Sequence, residues 1–135
     1  MNNSNSVEKL ALNLVCTIVL ISSVIFAFYI HVFGKITPGG GFQAGALLSS
    51  GLIIYQNFNK IKVFSDKSLN TITVIGILLY MFTGFASLLF GGSLFEYNSF
   101  HPIYGHIIGT FAIETGVFLV VTTSMVRIAN MIQEY

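Results

Sequence analysis

Charged residues are scarce in this sequence: they make up 8% of its 135 residues, against about 25% in a soluble globular domain. Six basic and five acidic residues leave a net charge of +1, so the chain lacks the basic surface that binds nucleic acid. Its single cysteine excludes a disulfide framework and a multi-cysteine metal site. These shortages exclude a soluble enzyme and a nucleic-acid-binding protein.

Hydrophobic residues are abundant instead, at 54%, and one membrane-spanning helix uses roughly 20 of them. We therefore predict an all-α integral membrane protein with a single membrane domain over residues 1–135. Four transmembrane helices are expected, at approximately 10–32, 39–56, 69–90 and 103–126. The first apolar run is too long for the core of a signal peptide.

The second of these spans has the weakest helix pattern, because it is short and begins with glycines. Glycine costs about 1 kcal/mol relative to alanine at a helix position. The alternative is three spans plus a re-entrant segment at 39–56 that packs against protein.

The distribution of basic residues does not separate these two topologies. With four spans Lys35 lies alone on one side of the membrane, and with three spans Lys9 does. Both arrangements give five basic residues against one, which is the asymmetry that the positive-inside rule requires. Both place the C-terminus and the 57–68 loop in the cytoplasm, and only the side of the N-terminus differs.

Glu114 is the main candidate for function, because it is a carboxyl group near the midpoint of the last span. A charged side chain there costs at least about 2.5–3.5 kcal/mol, so it is a functional hypothesis by default. One interpretation is part of a proton or ion path, and the other is structural pairing with a neighbouring subunit. His106, at the mouth of the same helix, is a second path candidate since imidazole titrates near neutral pH.

No basic residue of the chain is expected to reach Glu114 directly. His106 lies eight residues earlier, about 12 Å along the helix axis. His31 lies near the end of the first span. A cationic partner would then come from another chain, which favours an assembly subunit over a self-sufficient transporter.

Small residues recur at close-packing spacing on three of the spans. Such faces let helix backbones approach closely in lipid. On the last span they are Gly105, Gly109, Ala112 and Gly116; on the second, Gly41, Gly45 and Ser49; on the third, Thr73, Gly76, Thr83 and Ser87. We interpret these faces as packing surfaces.

A glycine-rich segment opens the second span, and it consists of Thr37, Pro38, Gly39, Gly40, Gly41 and Phe42. Thr37 is predicted to cap a helix whose first position is Pro38. The glycines are expected to allow close backbone contact at the membrane boundary, and Gly40 is expected to lie at that contact. A dinucleotide-binding fingerprint is excluded, because a membrane helix and not a strand precedes the segment.

Two segments together resemble the MnhB/MrpB family, whose members are small subunits of Mrp-type multisubunit cation/proton antiporters. The first is GKITPGGGFQAG at residues 34–45, which is similar to the family's PGGGF signature. The second is GHIIG at 105–109 followed by ETGV at 114–117, which looks like the family's last-helix pattern.

The resemblance implies a multi-pass subunit of a large complex in the prokaryotic cytoplasmic membrane that exchanges Na⁺ or K⁺ for H⁺. Its implied partners are lipid and other membrane subunits, including large antiporter-like ones that hold the main proton channels. No cofactor, metal or catalytic residue is implied. Related modules occur in membrane-bound hydrogenases and sulfur reductases, so an ion-translocating subunit of such a complex is an alternative.

Two further alternatives remain at this point. One is a purely structural assembly subunit. The other is a homodimeric drug/proton exchanger of the small multidrug resistance type, which has a similar length, four spans and one membrane glutamate. That family carries its glutamate on the first helix among aromatic residues, whereas the first helix here has no acid and the chain has no tryptophan.

Overall fold

A computed structural model of the chain describes residues 2–34, 39–89, 92–94 and 104–134, with the backbone alone for 2–5 and 134. It contains four α-helices in this stretch: α1 at Asn2–Phe33, α2 at Gly41–Asn59, α3 at Asp66–Leu89 and α4 at Gly105–Glu134. The all-α fold and the count of four helices are confirmed. Where each helix enters and leaves the bilayer stays a prediction.

Three of the helices are long and apolar enough to cross a membrane: Ser6–Phe33, Asp66–Leu89 and Gly105–Gln133. They support a membrane-embedded protein. The fourth, α2, has 19 residues and so a length of about 28 Å, close to the roughly 30 Å of a hydrocarbon core. Glutamine and asparagine side chains make α2 more polar than the other three.

The helices stand in a row and do not form a closed bundle. Helix α1 packs against α2, α2 against α4, and α4 against α3, so the spatial order is α1–α2–α4–α3. The more polar helix α2 therefore lies inside the row, between two protein neighbours. Its buried face carries the polar residues Ser49 and Gln56.

The directions of the helices favour the four-span topology. The backbone of Gly41 meets that of Glu114, and the Ser49 hydroxyl donates to Met125 Sδ at 3.2 Å, so α2 and α4 are parallel. His31 contacts Thr115, whereas Ala27 packs with Phe118 further along α4, so α1 runs antiparallel to α4. The re-entrant alternative requires α1 and α4 to be parallel. The start of α1 and the end of α4 therefore lie at the same end of the row.

The row is staggered at its other end. Helix α1 ends and α2 begins at the level of Glu114, which is nine residues after the start of α4. The first turns of α4 consequently extend about 13 Å further. Among the described residues, those around Thr83 and Ala86 in the last turns of α3 lie beside them.

Candidate functional site

Glu114 lies half-buried on α4, beside the first residue of α2. A Cβ atom built on Gly41 would stand 2.0 Å from the Glu114 carbonyl oxygen and 2.8 Å from the carbonyl carbon. The two backbones are thus in direct contact, and only glycine fits at this position of α2. This contact holds the Glu114 backbone at the level of the first residue of α2 along the helix axes.

The Glu114 carboxyl group has no hydrogen-bond or ion-pair partner among the residues that the structure describes. The ion pair found in those ranges joins Lys62 and Asp66, with 3.7 Å between Nζ and Oδ2, at the opposite end of the row. His31 lies near Glu114, because its ring contacts the next residue, Thr115, but no ion pair joins His31 and Glu114 in the described ranges. The expectation that a cationic partner for Glu114 comes from another chain stays a prediction.

His31 is buried, with 6% of its surface exposed, although sequence reasoning gave it no role. Its Nε2 atom lies 3.1 Å from Thr115 Oγ1, on the residue that follows Glu114. The ring stands between Phe111 and Phe118, with centroid distances of 5.2 and 5.0 Å. The antiparallel contact between α1 and α4 brings His31 to this place.

A sequence signal for His31 existed. Ser23, Ala27 and His31 follow one another at four-residue spacing, and residues so spaced share one helix face. All three are buried, with 8%, 0% and 6% exposed. A small-residue face that continues into a histidine indicates that the histidine enters a helix contact.

His106 lies apart from this group. It is exposed in the first turn of α4, where its Nδ1 atom stands 3.4 Å from Thr110 Oγ1. The Thr110 hydroxyl donates to the His106 carbonyl oxygen at 2.7 Å. The structure therefore brings His31 into contact with Thr115, the residue after Glu114, and leaves the sequence-predicted candidate His106 about two turns away.

The start of α2 differs from the sequence prediction. Thr37 and Pro38 lie outside the described residues, but a helix beginning at Pro38 would include Gly39 and Gly40, which are not helical. Gly40 is the N-cap with φ 161° and ψ −177°, an extended conformation, so the prediction of a helix start at Pro38 was wrong.

The residues on either side of the helix start have different surroundings. A Cβ atom on Gly40 would meet nothing within 4 Å. The close contact expected at Gly40 is therefore found, within this chain, at Gly41. Phe42 is 60% exposed and adds its ring to the surface of the row.

The small-residue faces lie at helix–helix contacts inside the chain. A Cβ atom on Gly45 would come within 2.9 Å of the Phe118 carbonyl oxygen, and one on Gly116 within 2.8 Å of the Gly76 carbonyl oxygen. Gly105 and Gly109 are buried and line a cavity of about 320 Å³ with Thr83 and Ala86. These glycines bring α4 close to α2 on one side and α3 on the other.

The chemistry available at the site is proton exchange. It combines a carboxyl group, an imidazole and a hydroxyl among aromatic and aliphatic side chains. Within the described ranges there is no group of three or more metal-ligating side chains of the His, Cys, Asp or Glu type.

The comparison with known families agrees with the motif resemblance. Residues 11–127 match the family described as a domain related to the MnhB subunit of Na⁺/H⁺ antiporter. The chain belongs to the MnhB family. The family predicted from the PGGGF and last-helix segments is thereby confirmed.

Two relatives of this MnhB chain are themselves named as Na⁺/H⁺ antiporter subunits of the B type. The one from Alkalihalophilus pseudofirmus is 33% identical over 127 residues, which cover 87% of this chain and 85% of that protein. The one from Bacillus subtilis is 31% identical over 140 aligned positions, 98% of each chain. In each comparison the similarity therefore covers most of this chain and most of the relative.

Proposed function

We propose that this chain is a small membrane subunit of a multisubunit Na⁺(K⁺)/H⁺ antiporter in the cytoplasmic membrane. Its partners are other membrane subunits, including large antiporter-like ones. It contributes helix packing surfaces and part of a proton path at Glu114. It carries no catalytic residue or cofactor of its own.

The proposal of a proton path is based on the environment of Glu114. The carboxyl group is half-buried in the middle of an apolar helix and has no polar partner in the described part of the chain. An acid in this position is costly and must pair, bind a proton or face a neighbouring subunit. The names of the relatives favour an antiporter over a hydrogenase or sulfur reductase as the parent complex.

The shape of the row supports a subunit role. Large hydrophobic side chains remain exposed along α1 and α3, including Phe26, Phe82 and Leu89 at 58%, 71% and 82%. In a membrane protein such side chains face lipid or other helices. A single row also encloses no channel, so a path through Glu114 needs further subunits to complete it.

The test is Glu114→Gln in the complete complex, with Na⁺-driven proton movement measured in everted membrane vesicles. Glutamine keeps the size of the side chain but does not bind and release a proton. We expect normal recovery of the complex and exchange lowered by about 100-fold, the lower range for removal of a proton-transfer group. Asp66→Asn is the matched control, since it removes an exposed carboxylate from a surface ion pair.

Normal exchange by the Glu114→Gln complex would refute the proton path and leave a purely structural subunit. Loss of both recovery and exchange would assign Glu114 to pairing between subunits.

A further inference from the structure

A polar cavity of about 450 Å³ lies at the end of the row where α2 and α4 finish. This volume is in the range of sites for small molecules. The residues that line it are mostly basic or amide-bearing, and all but one are exposed at the surface: Asn57, Lys60, Ile61, Lys62, Asn130 and Gln133. A lining of two lysines and three amides favours an anionic ligand that also forms hydrogen bonds.

The buried member of this lining is Asn130. Its exposed fraction is 2%, yet neither its Nδ2 nor its Oδ1 atom has a hydrogen-bond partner among the described residues. Buried polar side-chain atoms are paired in the large majority of cases, and an exception calls for an explanation. The amide has a donor and an acceptor to satisfy, so the ligand that suits it carries both kinds of group.

Lys60 adopts a backbone conformation that favours glycine. It ends α2 in the left-handed region, with φ 52° and ψ 40°, and in the described part of the chain it is the only non-glycine residue with positive φ. Helices that end in this way usually carry glycine at this position, because a side chain adds steric strain there. Such strain is a reason to look for a function of the side chain, and Lys60 supplies a positive charge to the cavity.

Lys62 brings a second positive charge. Its Nζ atom lies 3.7 Å from Asp66 Oδ2, and the two side chains are 43% and 57% exposed. An exposed pair of this kind contributes little, so an anion in the cavity shares Lys62 with Asp66 at small cost. Among the described residues that line the cavity there is no carboxylate.

The position of the cavity favours a lipid over a soluble anion. Its lysines belong to the 57–68 loop, which the positive-inside rule places in the cytoplasm. The cytoplasmic leaflet holds anionic lipids, and basic pockets between membrane helices bind their headgroups. Ile61 lines the same cavity and is 48% exposed, so apolar surface for the rest of a lipid lies beside the charges.

We propose that this cavity binds the headgroup of an anionic phospholipid that carries hydroxyl groups, of the phosphatidylglycerol type. The phosphate oxygens accept hydrogen bonds from Lys60, Lys62 and Asn130 Nδ2, and a headgroup hydroxyl donates to Asn130 Oδ1. The inference is independent of the proton path at Glu114, which lies at the opposite end of α2.

The test uses the complete complex, delipidated in a non-ionic detergent. Its thermal unfolding midpoint is measured against the concentration of dioctanoyl-phosphatidylglycerol, which gives an apparent affinity. Lys60→Gly should lower that affinity about fivefold, as expected for one charge near the membrane surface. Asn130→Leu should lower it about 10-fold, the lower range for a hydrogen bond to a charged group.

The stability without lipid provides the readout that separates binding from a structural role. Glycine relieves the backbone strain at Lys60, and leucine removes two unpaired buried polar atoms at Asn130 with little change in size. Both variants should therefore unfold at the wild-type temperature or above it when no lipid is present. Lower midpoints for both variants without lipid would show a merely structural role and overturn the proposal.

Lys67→Gln is the matched control, since it removes a positive charge at the start of α3 from a residue that does not line the cavity. Its affinity for the lipid should stay near that of the wild type. An equal response of the wild type and Lys60→Gly to phosphatidylglycerol would refute the site. If Asn130→Leu does not assemble, the exposed position Lys60 decides the question by itself.

Two further ligands identify the source of the phosphate. Dioctanoyl-phosphatidylcholine has the phosphate but neither net charge nor hydroxyl groups, so it should bind more weakly than phosphatidylglycerol. Glycerol 3-phosphate has the polar groups without acyl chains. If it raises the midpoint at the same concentration as the lipid, the ligand is a soluble phosphate ester and the lipid site is refuted. None of these results bears on Glu114, whose role the exchange assay tests separately.

Discussion

Replacing Gly41 by alanine would place a methyl group against the backbone of α4. The added Cβ would lie 2.0 Å from the Glu114 carbonyl oxygen, whereas ordinary contact begins at 3.4 Å. The opposing atoms belong to the backbone in the middle of a helix, so no side-chain rotation relieves the overlap. Helices α2 and α4 must separate by roughly an ångström at this point, where an overpacked contact costs about 1–3 kcal/mol or more.

We expect the upper part of that range, about 3 kcal/mol, because a shift of α2 also disturbs the contact of Gly45 with Phe118. The measurement is the thermal stability of the purified complex and the recovery of this subunit in it. Gly40→Ala is the control on the adjacent residue, since its Cβ meets no atom within 4 Å in the part of the chain that the structure describes. Equal stability of the Gly41→Ala and Gly40→Ala complexes would refute the backbone contact between α2 and α4.

Three further outcomes are expected. Gly51→Ala should destabilise the α1–α2 contact, because its Cβ would stand 2.5 Å from Ser23 Cβ. Adding Ser23→Gly should restore the thermal stability of the complex. If it does not, the contact between Gly51 and Ser23 is contradicted. Thr123→Val removes the 2.7 Å hydrogen bond to Thr73. It should lower the stability of the complex by only about 0.6 kcal/mol, the average for an interhelical hydrogen bond in a membrane. A loss of several kcal/mol in thermal unfolding would contradict this expectation. Tags at both chain ends should resist external protease in intact cells, and cleavage of an N-terminal tag would argue against four spans.

Much of the helical architecture could be predicted from the sequence. The long apolar runs predicted α1, α3 and α4 because lipid requires continuous apolar surface. Helix α2 was harder, since its glycines lower helix propensity. Their effect on packing, with Gly41 and Gly45 against α4, depends on a neighbour that a single segment does not reveal.

The site was predicted only in part, for a related reason. Glu114 stands out because a carboxyl group in an apolar span is unusual. His31, which contacts the adjacent residue Thr115, is more than eighty residues away in the chain, and this contact depends on α1 running antiparallel to α4. Likewise, Gly39, Gly40 and Gly41 are equivalent in composition, so the sequence does not tell which of them begins the helix and contacts α4.

The linear order of the helices has a consequence for how this protein comes apart. Each helix packs chiefly against the next one in the row, and α1 and α4 make only slight contact. The stability of the fold is therefore close to a sum of nearest-neighbour interfaces, as in a repeat protein. Damage to the α3–α4 contact releases α3 and leaves α1 and α2 paired, whereas damage at the central α2–α4 contact divides the chain into two hairpins. The end helices α1 and α3 are therefore the ones whose loss the rest of the chain tolerates.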